Sequence, residues 1–216
     1  MKKIIFVNGA VILLALFPAA YLALTWPTFP QTVPLHFGAD LKPDRFGNKE
    51  QMWLPVVIIA AVSLFVYFLF CNIHRIDPKR KEDGQLASFQ KLATGLVIFL
   101  TALSLLIIRS ATDNTISLRL LFPLLGLLFA FLGNALANVK PNYFAGFRLP
   151  WTLHNEENWR KTHALGSRLW TAGGLLIAIG CFFLPPVAAT VFFGIMMMLM
   201  GLIPAVYSYR LFKKGT

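Results

Sequence analysis

The sequence predicts an all-α integral membrane protein with about six transmembrane helices, and three observations predict it. Of the 216 residues, 57% are hydrophobic and only 13% are charged, and the mean hydropathy is +0.66, too apolar a composition for a soluble domain of this size. The apolar residues fall into runs near the roughly 20 residues that a bilayer-crossing helix needs. The Lys and Arg residues crowd into alternate connecting segments, as the positive-inside rule requires of a multi-pass chain.

The runs cover residues 4–24, 53–73, 92–108, 116–137, 169–184 and 187–209. Backbone N–H and C=O groups cannot go unpaired in hydrocarbon, and a helix pairs them within itself. The third and fifth runs are short, so they stand upright or borrow a turn from flanking amphipathic sequence. Trp53, Trp170, Tyr207 and Tyr209 fall at run ends, where amphipathic rings favour the headgroup layer. With the N-terminus inside, only Lys42, Arg45, Lys49, Arg109 and Arg119 of the 20 Lys and Arg residues lie outside, which places both termini in the cytoplasm. Residues 1–23 also have the charged start and small-residue end of a signal peptide, but the apolar run is longer than a usual signal core.

The whole chain, 1–216, reads as a single membrane domain. Residues 1–73 form an N-terminal two-helix unit with an outer loop, 25–52, and residues 92–209 form a four-helix unit with an inner loop, 138–168. In the outer loop Pro27, Pro30, Pro34 and Pro43 oppose helix and Gly38 and Gly47 permit turns, so an ordered but irregular loop is expected. Its aromatic residues suit an interface, and His36, Asp40, Asp44, Arg45 and Lys49 supply polar groups for recognition. A single His beside carboxylates is a poor metal site, so no metal is expected. The segment HRIDPKRKEDGQ that follows the second run is a charged connector without site chemistry.

The inner loop is the more specific feature. Asn134 and Asn138 are four apart beside Gly133 and Ala137, which suits a polar contact at a close helix crossing. Pro141 stops the preceding helix, Gly146 allows a turn, and Pro150 holds Leu149 extended. Asn155 is an N-cap, with Glu156 and Glu157 in the first turn and Trp159, Thr162, His163 and Gly166 at helical spacing. A short amphipathic helix on the inner surface is therefore expected before the fifth span.

Chemistry that breaks bonds finds no support. His154, Glu156, Glu157 and His163 lack the spacing that puts two metal ligands on one helical face with a base between them. No catalytic residue and no cofactor are expected. The net charge of +11 is spread over short loops, which fits topology and attraction to membrane lipid and argues against direct nucleic-acid binding. All nine acidic residues lie outside the apolar runs, which disfavours the alternative of a coupled transporter or exporter of a peptide or solute. Cys71 and Cys181 fall near opposite faces of the membrane and are not expected to pair. Gly173, Gly174, Gly180, Gly194 and Gly201 suit close helix packing within the chain or in a homo-oligomer.

The segment GNALANVKPNYFAGFRLPWTLHNEENWRKTHALGSRLW, from Gly133 to Trp170, resembles the signature of the SdpI-like family, membrane immunity proteins against a sporulation-delaying toxic peptide. VPLHF followed by PDRFGNK and a span is similar to the small N-terminal domain of unknown function common in that family. The chain departs from the signature at Ala164, where the family carries a basic residue. The resemblance implies a multi-pass protein of the bacterial cytoplasmic membrane that protects against a secreted membrane-active peptide met on the outer side or in the bilayer. It also implies signalling through a cytoplasmic DNA-binding repressor drawn to the membrane. The residues it marks for toxin or partner binding are Asn134, Lys140, Asn142, Phe144, Arg148, Trp151, Thr152, Trp159 and His163, with Pro141, Gly146, Pro150 and Gly166 shaping the loop.

Overall fold

The computed structural model describes residues 2–73, 86–112, 118–143 and 145–215. Its helices are α1 (Lys2–Thr25), α2 (Trp53–Cys71), α3 (Leu86–Thr112), α4 (Leu121–Leu136), α5 (Pro150–His154), α6 (Glu156–Phe183) and α7 (Pro186–Lys213). Five of them are long and apolar enough to cross a membrane, and α4 is a shorter apolar helix. Among the described residues the chain is an all-α membrane protein apart from one small hairpin. The charged connector read at 74–85 and the candidate Phe144 lie outside the described residues.

Three helix lengths depart from the sequence reading. The third and fifth runs, read as short, sit in helices of 27 and 28 residues. Apolar runs mark only the stretch suited to lipid, while the backbone ladder continues into polar sequence. The fourth, read over 116–137, is a helix of 16 residues preceded by a 3₁₀ turn at Leu118–Leu120. Pro123 explains the late start, because a residue without an N–H fits the first turn of a helix and disrupts later ones.

The separate surface helix expected after Asn155 is corrected as well. α6 runs from Glu156 through Gly166 to Phe183 without a break, so the amphipathic turns and the span are one helix. Gly166 alone does not end a helix, since an interior glycine costs only about 1 kcal/mol. Here the missing side chain leaves room for the Phe147 ring. The short helix that does precede α6 is α5, with Pro150 at its start.

The outer loop is also more regular than expected. Strands β1 (Thr32–Phe37) and β2 (Pro43–Asn48) pair antiparallel, with irregular register around Leu35 and His36. A two-stranded hairpin tolerates Pro34 and Pro43, because its edges need no donor at every position. The tip closes through Gly38 N–H to Lys42 O and Leu41 N–H to Gly38 O, both 2.9 Å. Leu41 takes a φ of +60°, a conformation that L residues adopt at a cost. Its side chain packs against the cluster of Phe122, Ile177, Cys181, Ala189 and Met200, which holds it there.

α1, α2 and α3 pack on one another through Val11, Ala15, Tyr67, Ala93 and Val97. At the opposite end of these helices Leu22, Val56 and Ile108 bury Phe29 and Val33 from the hairpin segment. α4, α6 and α7 form a second layer. Gly126, Ala130 and Gly133 of α4 lie so close to Thr171, Gly174 and Ala178 of α6 that a Cβ on any of the three glycines would meet the facing backbone. Gly174 is thereby used within the chain. Cys71 and Cys181 are both free thiols.

Two prolines show how the layers are tied. Pro18 has no N–H for the Leu14 carbonyl, and Thr101 Oγ1 of α3 donates to that oxygen at 3.1 Å. Pro204 likewise frees the Met200 carbonyl, and Trp170 Nε1 of α6 donates to it at 2.9 Å. Trp170 is thus a half-buried ring that ties α6 to α7, edge-on to Phe129 and Phe147. The hairpin caps one end of the helices, with Thr190 Oγ1 of α7 donating to Ala39 O at 2.9 Å. The 138–168 segment closes the other end against the last turns of α7.

Candidate functional site

The segment between α4 and α6 folds around its own polar side chains. Asn142 is fully buried, its Nδ2 donating to Lys140 O (2.9 Å) and Ala145 O (3.1 Å) while its Oδ1 accepts from Ala145 N–H (2.7 Å). One amide side chain therefore closes a turn that no regular element stabilises. Thr152, also fully buried, accepts from Leu149 N–H at 2.9 Å and sends its hydroxyl toward Phe147 O at 2.6 Å. Leu149 is extended, with φ −87° and ψ 151°, as expected before proline.

His163 is the pivot of this loop. Its Nε2 accepts from Phe147 N–H at 2.9 Å, so the ring is neutral and Nδ1 carries the proton that goes to Trp159 O, 2.8 Å away. Gly146 has a φ of +114°, and a Cβ there would run into His163 Nε2. Trp159 stacks on the His163 ring with centroids 4.0 Å apart and donates its indole N–H to Val139 O at 2.8 Å. Phe147 stands edge-on to the same imidazole. With both nitrogens held by backbone groups, His163 is a strut between α6 and the loop, and neither nitrogen is available as a base or metal ligand.

A second buried network fastens α5 and α6 to α7. Trp151 Nε1 donates to Ser208 Oγ (2.7 Å), Ser208 Oγ to Asn158 Oδ1 (2.8 Å), and Thr162 Oγ1 to the same oxygen (3.0 Å). Asn158 Nδ2 completes the circuit on Ser208 O at 3.0 Å. Asn158, Thr162 and Ser208 are fully buried, so each bond forms where water cannot replace it. Asn155 caps α6 as expected, accepting from Asn158 N–H at 2.8 Å.

Lys140, Trp159 and His163 come together along a cavity of about 870 Å³ that Glu156, Glu157 and Arg160 also line. Arg148 is exposed and donates from Nη1 to Tyr143 O at 2.7 Å. Asn134 is exposed on α4, while the close crossing on that helix is made by Gly133. Ala164 is exposed too. The outer candidates lie at the opposite end of the helices. His36 Nδ1 is 2.7 Å from Asp44 Oδ1 across the hairpin, Asp40 Oδ1 accepts from Lys42 N–H at 3.1 Å, and Lys49 Nζ sits 4.8 Å from the centre of the Trp26 ring.

Sequence reasoning missed Asn158 and Ser208 as members of the site. The one signal for Ser208 was a small polar residue inside an apolar run. Its partner lies 50 residues away, so no local pattern connects them.

Residues 138–208 match the SdpI/YfhL protein family, and residues 13–60 match a domain of unknown function, DUF1648. The chain is 26% identical over 186 residues to the immunity protein SdpI of Bacillus subtilis (strain 168), covering 86% of each chain. It is 43% identical over 58 residues to an uncharacterized protein of Archaeoglobus fulgidus, covering 26% of this chain and 30% of that one. No solved structure matches.

Proposed function

We propose that this chain, an SdpI-like multi-pass membrane protein, protects its cell from a secreted membrane-active peptide. The observation that carries the reading is the similarity to the Bacillus subtilis immunity protein along 86% of both chains. The family match at 138–208 supports it, because that segment contains both buried networks that join the loop, α6 and α7. We place the protein in the bacterial cytoplasmic membrane with both termini inside. The hairpin then faces the outer side, where the peptide arrives, and the 138–168 segment faces the cytoplasm.

Protection of this kind needs recognition, not bond breaking. A peptide held by the protein on the outer side or within the bilayer is withheld from free lipid. The signalling arm extends the same reading: the cavity lined by Lys140, Glu156 and Arg160 offers charges of both signs to a cytoplasmic DNA-binding repressor. Signalling then requires two states of the chain that differ in affinity for the repressor.

The test is survival and membrane potential of a sensitive bacterium that expresses the protein and is challenged with the sporulation-delaying peptide. Protection by the wild type, lost in Asp44→Ala and kept in Arg148→Ala at equal expression, is the expected result for recognition at the hairpin end. No protection despite correct membrane insertion would refute immunity to that peptide.

A further inference from the structure

The hairpin end contains a groove that belongs to neither buried network. Its volume is about 740 Å³, and it runs between the hairpin, the start of α2, the C-terminal half of α3 and the start of α4. Leu35 and Phe37 of β1 form one wall, with Leu103 and Leu106 of α3 and Leu121 of α4 among those facing them. Leu54, at the start of α2, is 66% exposed and marks a side of the groove that is open laterally. Volumes of about 300 to 1,000 Å³ with apolar walls and a few polar groups at one edge are typical of ligand sites.

The polar edge is formed by Arg45 of β2 together with Glu50 and Gln51 of the turn that leads into α2. Arg45 and Glu50 are exposed, and among the described residues neither has an ion-pair partner. A cation and an anion thus stand unpaired beside one apolar trough.

We propose that this groove binds an apolar segment of a membrane-active peptide, with the peptide's charged or backbone polar groups meeting Arg45 and Glu50. The proposal rests on the immunity reading and names the site of recognition. Mixed charge is what favours a peptide over an anionic lipid. A guanidinium takes a carboxylate through two parallel hydrogen bonds, and a carboxylate takes an amine, so a peptide's two kinds of end group both find a partner. An anionic lipid headgroup at Arg45 would instead face the negative charge of Glu50. The walls remove the apolar segment from both water and lipid, and the edge sets its direction.

The experiment uses the full chain in nanodiscs of phosphatidylethanolamine and phosphatidylglycerol, with fluorescently labelled sporulation-delaying peptide as probe. Leu103→Trp fills the groove and Arg45→Glu reverses its cation at an exposed position where folding is undisturbed. Leu199→Trp, on the exposed face of α7, controls for an added indole. The expected result is peptide binding by the wild type and the control, weakened about tenfold or more by Leu103→Trp and about three- to tenfold by Arg45→Glu, the range for loss of one ordinary hydrogen bond at an exposed edge. Wild-type affinity in both variants would overturn the groove while leaving immunity intact, and so would protection in cells without binding by the wild type. A co-purifying phospholipid lost only in Leu103→Trp, with peptide binding unchanged, would overturn it in favour of a lipid. Absence of both protection and binding would refute the immunity reading itself.

Discussion

The two ends of the molecule spend their polar residues differently. At the signature end Asn142, Thr152, Asn158, Thr162 and Ser208 are buried and bonded to each other or to backbone. At the hairpin end His36, Asp40, Asp44, Arg45 and Glu50 are exposed. Buried polar groups are costly to leave unpaired, so the first arrangement fixes one conformation. Exposed groups lose little when a partner is removed, so the second is free to serve recognition. The contrast implies that substitutions at the signature end act first on stability, and those at the hairpin end act first on binding.

The largest effect that would sharpen this contrast is expected from Gly146→Val. Its φ of +114° excludes a β-branched residue, and the new side chain would collide with His163 Nε2. Positive φ and overpacking together should cost about 3 kcal/mol or more. Thermal unfolding in detergent should show a large fall in Tm. A variant with unchanged Tm would break the view of His163 as a strut.

Next comes Asn158→Leu. The substitution keeps the volume close but strands the Ser208 carbonyl and the Thr162 hydroxyl in a buried site, at a cost of about 1–3 kcal/mol. Asn158→Asp retains only acceptors and cannot donate to Ser208 O, so it should be no better. Stability equal to wild type in the Leu variant would mean that the network is not what ties α6 to α7.

How much of this contrast the sequence showed depends on the distance between partners. The N-cap at Asn155, the turn at Gly146 and the extended Leu149 are local, set by a few neighbouring residues, and each was legible. The hairpin was obscured by its prolines, which oppose helix and β-ladder alike, and only pairing across the tip makes room for them. Asn158 and Ser208, or Pro18 and Thr101, depend on the register between helices, which no single run encodes. The length of α6 was hidden because hydropathy falls where the helix leaves the lipid, although its backbone bonds do not.

A smaller effect is expected from acid. His163 Nε2 is an acceptor for Phe147 N–H, so a second proton on the ring would set two donors against each other. The contact is therefore present while the ring is neutral and is lost as pH falls. Burial holds the His163 pKa below the ordinary histidine value, so the loss belongs to the acid side of about pH 6.5, where the Phe147 amide should lose protection, read as its hydrogen-exchange rate relative to the intrinsic rate at each pH. His163→Gln should destabilise the loop at every pH and abolish the slope. Protection of the Phe147 amide that stayed constant down to acid pH in the wild type would contradict the assigned ring state.

The smallest stability effect belongs to the other end, and it tests the comparison most directly. His36 and Asp44 form a 2.7 Å pair, but their side chains are 61% and 53% exposed. Water competes for both groups, and such pairs contribute about 0–1 kcal/mol. Asp44→Asn keeps the shape of the hairpin and removes the charge, so Tm should stay near that of the wild type. Survival under peptide challenge should nevertheless fall if the hairpin end is the recognising surface. A variant that lost stability would show that the hairpin is braced as tightly as the signature loop. A variant that kept both stability and protection would move recognition away from this pair, toward the groove edge at Arg45 and Glu50 or to the signature end.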